Sequence, residues 1–374
     1  VEAISWGAFL DGSCDRFRTW HDGTLVNDHE VFDGLLGAEA PMLALAPMQD
    51  VTDWDFWKLV QGFGGADFYV TEYFRVHADS RLEKDILRSV VDNPTGRPVV
   101  AQMIGNDVPS LVRSAKELQQ SSAVAIDLNL GCPAPIVYKK CAGGGLLRDL
   151  ALVDRILGAL RDAVTVKLTV KTRIGFDDPR VFEELLPILD RHQIDLLTVH
   201  GRTVKEMYRS EVHYDYIARA VEVMSCPVIA NGNVYSAQKA ADVLEETGAA
   251  GLMIGRGAIR NPWMFRQIRE QLSGKPVYLP KGREVLSYID ALYEAVTSDA
   301  VAELYRVQKM KKYLNFIGLG VEPTGAFLHA MRRVTTRSAM MDLCAQFLDH
   351  DEFMPLEPFE PELKEKDVLA GSHR

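Results

Sequence analysis

The sequence predicts a (β/α)8 barrel followed by a small all-helical domain, and three observations carry that reading. Eight apolar, β-rich runs between residues 41 and 258 alternate with segments of helical periodicity. Each run is almost continuously hydrophobic, as suits parallel strands covered on both faces rather than half-exposed antiparallel ones. Nearly every run also ends in a group that is costly to bury, and a barrel collects such groups at its C-terminal face. Eight strand–helix units in roughly 230 residues is the size this fold requires. An open doubly wound sheet would carry a GxGxxG turn after its first strand, and none is present.

Taken in order, residues 1–40, with Trp6 and Trp20 among turn-like stretches, carry no pattern and read as an N-terminal extension of unknown role. The chain begins at Val1, which points to a trimmed start. The barrel is expected over 41–272. Its runs are PMLALAPM (41–48), ADFYVTEY (66–73), RPVVAQMIG (97–105), AVAIDLNLG (123–131), VTVKLTVKTRIG (164–175), DLLTVHGRT (195–203), CPVIANGNV (226–234) and GLMIGRGA (251–258). VPSLVRSAKELQQ (108–120) and SAQKAADVLEET (236–247) place apolar residues at helical spacing between them. The polar strand ends are Glu72, Gln102, Asn129, Lys171 with Arg173, His200 with Arg202, Asn231 with Asn233, and Arg256. One of these could cap a helix; a succession of them reads as one site. The turns ANGNV (230–234) and IGRGA (254–258) bring backbone amides close to a ligand, and loops after the seventh and eighth strands bind phosphate recurrently in this fold. A phosphorylated cofactor is therefore expected.

Asn129-Leu-Gly-Cys132, running into Pro133, leaves the fourth run just before the glycine cluster CAGGGLL (141–147). A free cysteine is usually a small buried apolar residue. At the exit of a buried strand, fixed by glycine and proline and surrounded by the other polar strand ends, Cys132 becomes a candidate catalytic group. Cys141, in a lysine-flanked loop, is the rival thiol and reads as incidental.

Composition sets the outer limits. The 374 residues are 47% hydrophobic and 25% charged, as in an ordinary globular protein. No apolar stretch approaches the roughly 18 residues that span a bilayer, and no basic-then-apolar signal layout opens the chain. Five scattered cysteines, an odd number, argue for reduced thiols in the cytoplasm, and the lack of CxxC spacing argues against a metal centre. The net charge of −10 weighs against a polyanionic partner, but it is uneven: residues 305–338 hold seven Lys and Arg against Glu322 alone, whereas 349–367 hold eight acids against two lysines.

Several of these stretches together resemble the tRNA-dihydrouridine synthases, flavoenzymes that reduce selected uridines in tRNA. The resemblance rests on APMQDVTD (46–53), VAQMIGN (100–106), LNLGCPAPIVYKKCAGGGLL (128–147), TVKTRIG (169–175), LTVHGRT (197–203), ANGNV (230–234), LMIGRGAIRNPW (252–263) and YRVQKMKKYLNFIGLG (305–320). It implies bound FMN across the barrel mouth and NADPH as electron donor. Pro47, Met48 and Gln49 would line one side of the ring and Gln102 would hydrogen-bond its pyrimidine part. Lys171 would stabilise the charge of reduced flavin. His200 would contact the ring or ribityl phosphate, and Asn231, Gly232, Asn233, Gly255 and Arg256 would hold the phosphate. Cys132 would donate the proton to carbon 5 of the uracil, a task suited to a thiol. Asn129 would orient the base, with Arg173 and Arg202 as further substrate contacts. One departure is Asp50, where the family usually has glycine.

After the linker LSGKPVYLPKG (272–282), residues 283–348 read as helices with basic faces, and 349–374 as an acidic, flexible tail. Arg306, Lys309, Lys312, Arg332 and Arg333 are expected to meet tRNA phosphates, although a solvated face is the default for such charges. The target uridine must leave its stack to be reduced. A small-molecule flavin reductase of the dihydroorotate dehydrogenase or ene-reductase type is the alternative, but a small substrate needs no basic helical domain. A phosphoribosyl-ligand or RNA-binding barrel without redox chemistry is the non-enzymatic alternative. Oligomeric state and the position reduced are not encoded in any of these motifs.

Overall fold

The structure, a computed structural model, describes residues 19–21 and 24–359. Eight parallel strands close on themselves: β1 (Met42–Leu45), β2 (Phe68–Val70), β3 (Val99–Ile104), β4 (Ala125–Leu130), β5 (Lys167–Arg173), β6 (Leu196–His200), β7 (Val228–Asn231) and β8 (Gly251–Ile254). The ring is completed where β8 pairs with β1, Gly251 opposite Met42, and where β2 pairs with β3, Tyr69 opposite Val99. Every strand falls inside its expected run; Gln102, Asn129, Lys171, Arg173, His200 and Asn231 lie in the C-terminal parts of their strands, whereas Glu72, Arg202, Asn233 and Arg256 follow in the segments beyond. A two-residue strand, Phe74–Arg75, continues the pairing along the end of β3 opposite Met103 and Ile104.

Helices wrap the barrel: α1 (Asp28–Leu36), α2 (Trp54–Gln61), α3 (Lys84–Val91), α4 (Val108–Leu118), α5 (Leu150–Ala163), α6 (Phe182–Arg191), α7 (Tyr214–Val223), α8 (Ala237–Thr247) and α9 (Met264–Leu272). Helix α1 precedes β1 and alters the reading of residues 1–40. Asn27 caps it, accepting from Glu30 N at 2.9 Å while Glu30 Oε2 accepts from Asn27 N at 3.2 Å. Its Phe32 is fully buried among the interior residues Met42, Ala44, Phe68 and Met253, edge-on to Phe68 at 5.3 Å between ring centroids. Part of the expected extension is thus the plug of the barrel floor; residues 1–18 lie outside the described residues.

The barrel is a packed core rather than a pore. Its lumen, lined by Phe68, Val70, Val100, Gln102, Asp127, Thr169, Lys171, Leu196, Thr198 and Met253, leaves about 10 Å³, scarcely room for one water. Any larger ligand must therefore sit above the rim.

Four further helices, α10 (Gly282–Val296), α11 (Glu303–Ile317), α12 (Ala326–Met331) and α13 (Arg337–Leu348), form the C-terminal region. Their shared face buries Tyr288, Tyr293, Val307, Met310, Tyr313, Phe327, Met340 and Leu348. They are bolted to the barrel through polar tips as well: Tyr288 Oη donates to Ile259 O at 2.8 Å, Arg260 Nε to Phe316 O at 3.0 Å, and Tyr313 Oη to Val51 O at 2.8 Å. The expected flexible tail is anchored over its first part. Met354 and Leu356 are 7% and 1% exposed, and Met354 N donates to Pro280 O at 2.7 Å. The two apolar side chains outweigh the acidic residues around them; residues 360–374 lie outside the described residues. No helix among the described residues is long and apolar enough to cross a membrane.

Candidate active site

Side chains two apart along a strand share a face, and at the barrel mouth that rule turns a set of polar residues inward. Register then levels them: Asn129 lies opposite Lys171, Arg173 opposite His200, and His200 opposite Asn231. Beneath them Asp127, wholly surrounded by protein, accepts from Gln102 Nε2 at 2.8 Å and Thr169 Oγ1 at 2.6 Å. Burial pushes its carboxyl up to about 6, against the opposing pull of those hydrogen bonds and of Lys171. Gln102 is 0% exposed and its Oε1 accepts from Asn129 Nδ2 at 2.8 Å, so it supports Asn129 from below the rim.

Asn129 in turn builds the cysteine loop. Its Oδ1 accepts from Gly131 N at 3.0 Å and Cys132 N at 2.9 Å, folding the chain back over the strand end. Arg173 clamps the same loop from β5, donating to Gly131 O at 3.0 Å, and reaches Thr203 O and Met207 O at 2.9 Å each. Cys132 is therefore a partly exposed thiol on a fixed loop, and its burial pushes the thiol above its ordinary value of 9.0. Two of the residues expected as substrate contacts, Asn129 and Arg173, also hold this loop in place. Arg202 is 0% exposed and donates from Nε to Ser210 O at 2.8 Å, holding the following loop from inside the wall. Cys141 lies apart on the exposed surface near Arg148.

Lys171, partly buried, donates to Asn231 Oδ1 at 3.0 Å, and Asn231 Nδ2 donates to Met253 O at 2.8 Å. Burial, with the neighbouring Arg173 charge, lowers the ammonium to about 8. His200 is 7% exposed, and burial among Arg173, Lys171, Arg202 and Arg256 holds its imidazole neutral, far below 6.5. Its Nδ1 is buried without a protein partner, as is Gln49 Oε1 on the opposite side of the mouth. Buried polar atoms left unpaired are uncommon, and one on the turn after β1 with one at the end of β6 fit a polar ligand bound at this end of the barrel.

The phosphate side is built from the turns after β7 and β8. A Cβ at Gly257 would lie 2.4 Å from Val234 O, so only glycine lets the two turns pack. Arg256 Nη2 contacts Asn233 Oδ1 at 3.4 Å, and the Arg256 guanidinium stacks 4.6 Å from Tyr208, whose ring also lies 5.4 Å from Arg173. Tyr208 was not singled out from sequence, since nothing in YRSEVH distinguishes it from a surface tyrosine.

The turn after β1 forms the remaining side of the mouth. Met48 N donates to Thr52 Oγ1 at 2.7 Å, and Asp50 takes φ 59°, the left-handed region. Glycine adopts that conformation freely and aspartate is among the side chains that tolerate it, so Asp50 fits the turn. Between this turn and α11 lies a cleft of about 670 Å³, lined by Asp50, Asp53, Asp55, Glu72, Asp85, Arg88, Tyr305, Lys309 and Lys312 among others. Lys309 Nζ meets Asp53 Oδ2 at 3.3 Å across it, and Arg306 pairs with Asp299. Lys312, Arg332 and Arg333 are exposed.

Glu72 accepts from Asp50 N, and burial raises its carboxyl to about 7, with Asp53 and Asp50 adding repulsion. A carboxyl whose folded value exceeds its ordinary 4.5 holds more protons folded than unfolded between those values, so stability falls as pH rises from 4.5 to 7. Glu72→Gln is expected to flatten that part of the Tm-against-pH curve; an unchanged slope would place the titration elsewhere.

The chain matches the family model "Dihydrouridine synthase (Dus)" over residues 44–350. A probable tRNA-dihydrouridine synthase of Rickettsia prowazekii is 34% identical over 308 residues, covering 81% of this chain and 93% of the relative. tRNA-dihydrouridine synthase B of Pseudomonas putida is 40% identical over 261 residues, covering 67% and 76% respectively. The corresponding protein of Pseudomonas aeruginosa is 41% identical over 234 residues, covering 62% and 69%. With a family match that spans both the barrel and the C-terminal helices, the chain belongs to the dihydrouridine synthase family of oxidoreductases.

Proposed function

We propose that this protein is a tRNA-dihydrouridine synthase that binds FMN and draws electrons from NADPH in the cytoplasm, with Cys132 as the proton donor. The observation that carries the reading is the fixed thiol above a rim that ends in two unpaired buried polar atoms, His200 Nδ1 and Gln49 Oε1. Pro47, Met48 and Gln49 would flank the flavin ring, with Lys171 and His200 on the other side of the mouth. Asn231, Gly232, Asn233, Gly255 and Arg256 would hold its phosphate, a donor set of amides and one guanidinium that suits a dianion. Bound there, reduced FMN would supply the hydride for carbon 6 of the uracil.

The protein's own residues do the rest. The packed lumen excludes a ligand from below, so base and flavin meet only at the rim. Asn129 fixes the Cys132 backbone, and the thiol gives carbon 5 its proton. The Lys171 ammonium, held on Asn231 Oδ1, would balance negative charge at the mouth. A uridine extruded from the tRNA would enter from the cleft beside α11, whose barrel wall is acidic. Phosphates must therefore be held on the opposite side, where Lys312, Arg332 and Arg333 are exposed, while Lys309 and Arg306 spend their charge on Asp53 and Asp299.

The test is direct. Purified protein should be yellow, and with NADPH it should form dihydrouridine in tRNA isolated from cells that lack this gene. Replacing Lys312, Arg332 and Arg333 together with Ala should weaken tRNA binding about uniformly across tRNAs and reduce its dependence on salt. The slope should fall by up to about 0.7–0.9 for each phosphate that the three side chains neutralise. Absence of flavin and of product would exclude the enzyme reading; unchanged affinity would exclude the docking surface.

A further inference from the structure

Between β6 and α7 the chain makes an excursion over residues 201–213 whose ends are tied together, His213 N donating to Gly201 O at 2.7 Å. Inside it Glu206 Oε1 meets His213 Nε2 at 2.9 Å, its Oε2 accepts from Thr203 N at 2.6 Å, and its N–H donates to Thr203 Oγ1 at 3.2 Å. Two buried arginines pin the excursion to the barrel, Arg173 on Thr203 O and Met207 O, and Arg202 on Ser210 O. Met207 takes φ 56°, a left-handed conformation that side-chain-bearing residues seldom adopt. Strain of that kind persists only where the surroundings hold it, and here it stands one residue before Tyr208.

Tyr208 is the side chain that this frame fixes. Its ring centroid lies 4.6 Å from the Arg256 guanidinium carbon, 5.4 Å from that of Arg173 and, edge-on, 6.2 Å from the His200 ring. Arg173 is 3% exposed and bonded to three carbonyls, so it gives the ring a rigid neighbour on one side. Arg256 is partly buried and sits on a long side chain just beyond β8. Asn233 Oδ1 meets its Nη2 at 3.4 Å, while Tyr208 meets the guanidinium with its ring. A guanidinium stacked on an aromatic face keeps its N–H donors in its own plane, where an anion can be met.

We propose that Tyr208 is a positioning residue for Arg256, and that through this arginine it sets the preference of the site for a phosphorylated flavin over the same flavin without phosphate. The inference rests on the reading of Arg256 and the turns after β7 and β8 as the phosphate holder. The aromatic ring narrows the rotamers of the arginine before the ligand arrives, so less freedom is lost on binding. It also attracts both cations, which keeps Arg256 near Arg173 despite their like charge. The π face carries that attraction, and the hydroxyl is not required for it.

The experiment titrates the full-length protein, stripped of flavin, with FMN and separately with riboflavin, following flavin fluorescence. Riboflavin has the same ring and ribityl chain and no phosphate, so the ratio of the two affinities isolates the phosphate end. Tyr208→Leu should lose about tenfold in FMN affinity, within the range of one cation–π contact, with riboflavin affinity unchanged. Tyr208→Phe should keep the wild-type ratio. Arg256→Met should lower the ratio, and adding Tyr208→Leu to it should lower it no further, because the tyrosine acts through the arginine. An unchanged ratio in Tyr208→Leu, or an equal loss for both flavins, overturns the proposal. A ratio lost in Tyr208→Phe overturns it as well, so a leucine variant that fails to fold leaves the test standing. Wild-type protein that binds FMN and riboflavin alike would instead remove the phosphate reading of Arg256, and the proposal with it.

Discussion

Cys132→Ala is expected to keep its flavin, with unchanged visible absorbance, and to lose about 10²–10⁴-fold in dihydrouridine formation, the range contributed by a positioned general acid. The size of the loss follows from what else stands near the thiol. Lys171 and Arg173 are cations, but the Lys171 ammonium is held on Asn231 Oδ1, Arg173 is committed to Gly131 O, Thr203 O and Met207 O, and no arginine gives up a proton near neutral pH. His200 is held neutral by burial and by four neighbouring cations, so it too has no acidic proton to give. Cys141 is on the outer surface, beyond the mouth. Alanine at position 132 disturbs little: the Asn129 clamp grips the backbone amide, which the substitution preserves. Full activity in the variant, measured as dihydrouridine per tRNA, would remove the proton-donor role. Loss of flavin from it would show that the loop, rather than the thiol, had been damaged.

How far the sequence disclosed this arrangement depended on the range of the contacts. The eight strands were legible because burial on both faces leaves an uninterrupted apolar run. The rim residues were legible because a charged or amide group at the end of such a run costs stability unless a site needs it there. Period-two spacing within the runs held more than was read from it. Asp127 lies two residues before Asn129, and Thr169 two before Lys171, so both had to face the lumen alongside the rim residues. Contacts made by distant segments left no local trace. Phe32 looks like any apolar residue of a short amphipathic helix until Phe68 is brought to it from the other side of β1. Arg202 reads as a substrate contact in VHGRT, yet its burial is decided by the loop that supplies Ser210 O. The first part of the tail, acidic by composition, is anchored by two apolar side chains that a charge count does not weigh.

The C-terminal helices are joined to the site through one turn. Tyr313 Oη holds Val51 O, the Tyr313 ring stacks on Phe56 at 5.9 Å, and Lys309 pairs with Asp53, the residue that caps α2. All three contacts act on the segment that carries Pro47, Met48 and Gln49 to the mouth. A nucleic acid that binds α11 thus bears on the wall of the site through packed side chains, without any moving part being required.

Lys171→Met is expected to lower turnover about 10²–10³-fold, the loss typical of removing one preorganised electrostatic contact from a dry site. Its pH dependence makes the assignment specific. The ammonium is charged below about 8 and neutral above it, because burial and Arg173 oppose its charge. Turnover should therefore decline as pH rises through about 8. The thiol cannot produce that limb, since burial moves Cys132 the other way, above 9.0. Lys171→Arg retains the cation at every accessible pH and should displace the limb upward, at reduced rate because a planar guanidinium does not fit a point-charge site. Stability provides an independent check: a lysine whose folded value is depressed binds fewer protons folded than unfolded between about 8 and 10.5, so the wild-type Tm gains from this group as pH climbs through that window. The gain should vanish in Lys171→Met. A turnover limb near 8 that survives in Lys171→Arg would assign the titration to another group and take the charge-balancing role from Lys171.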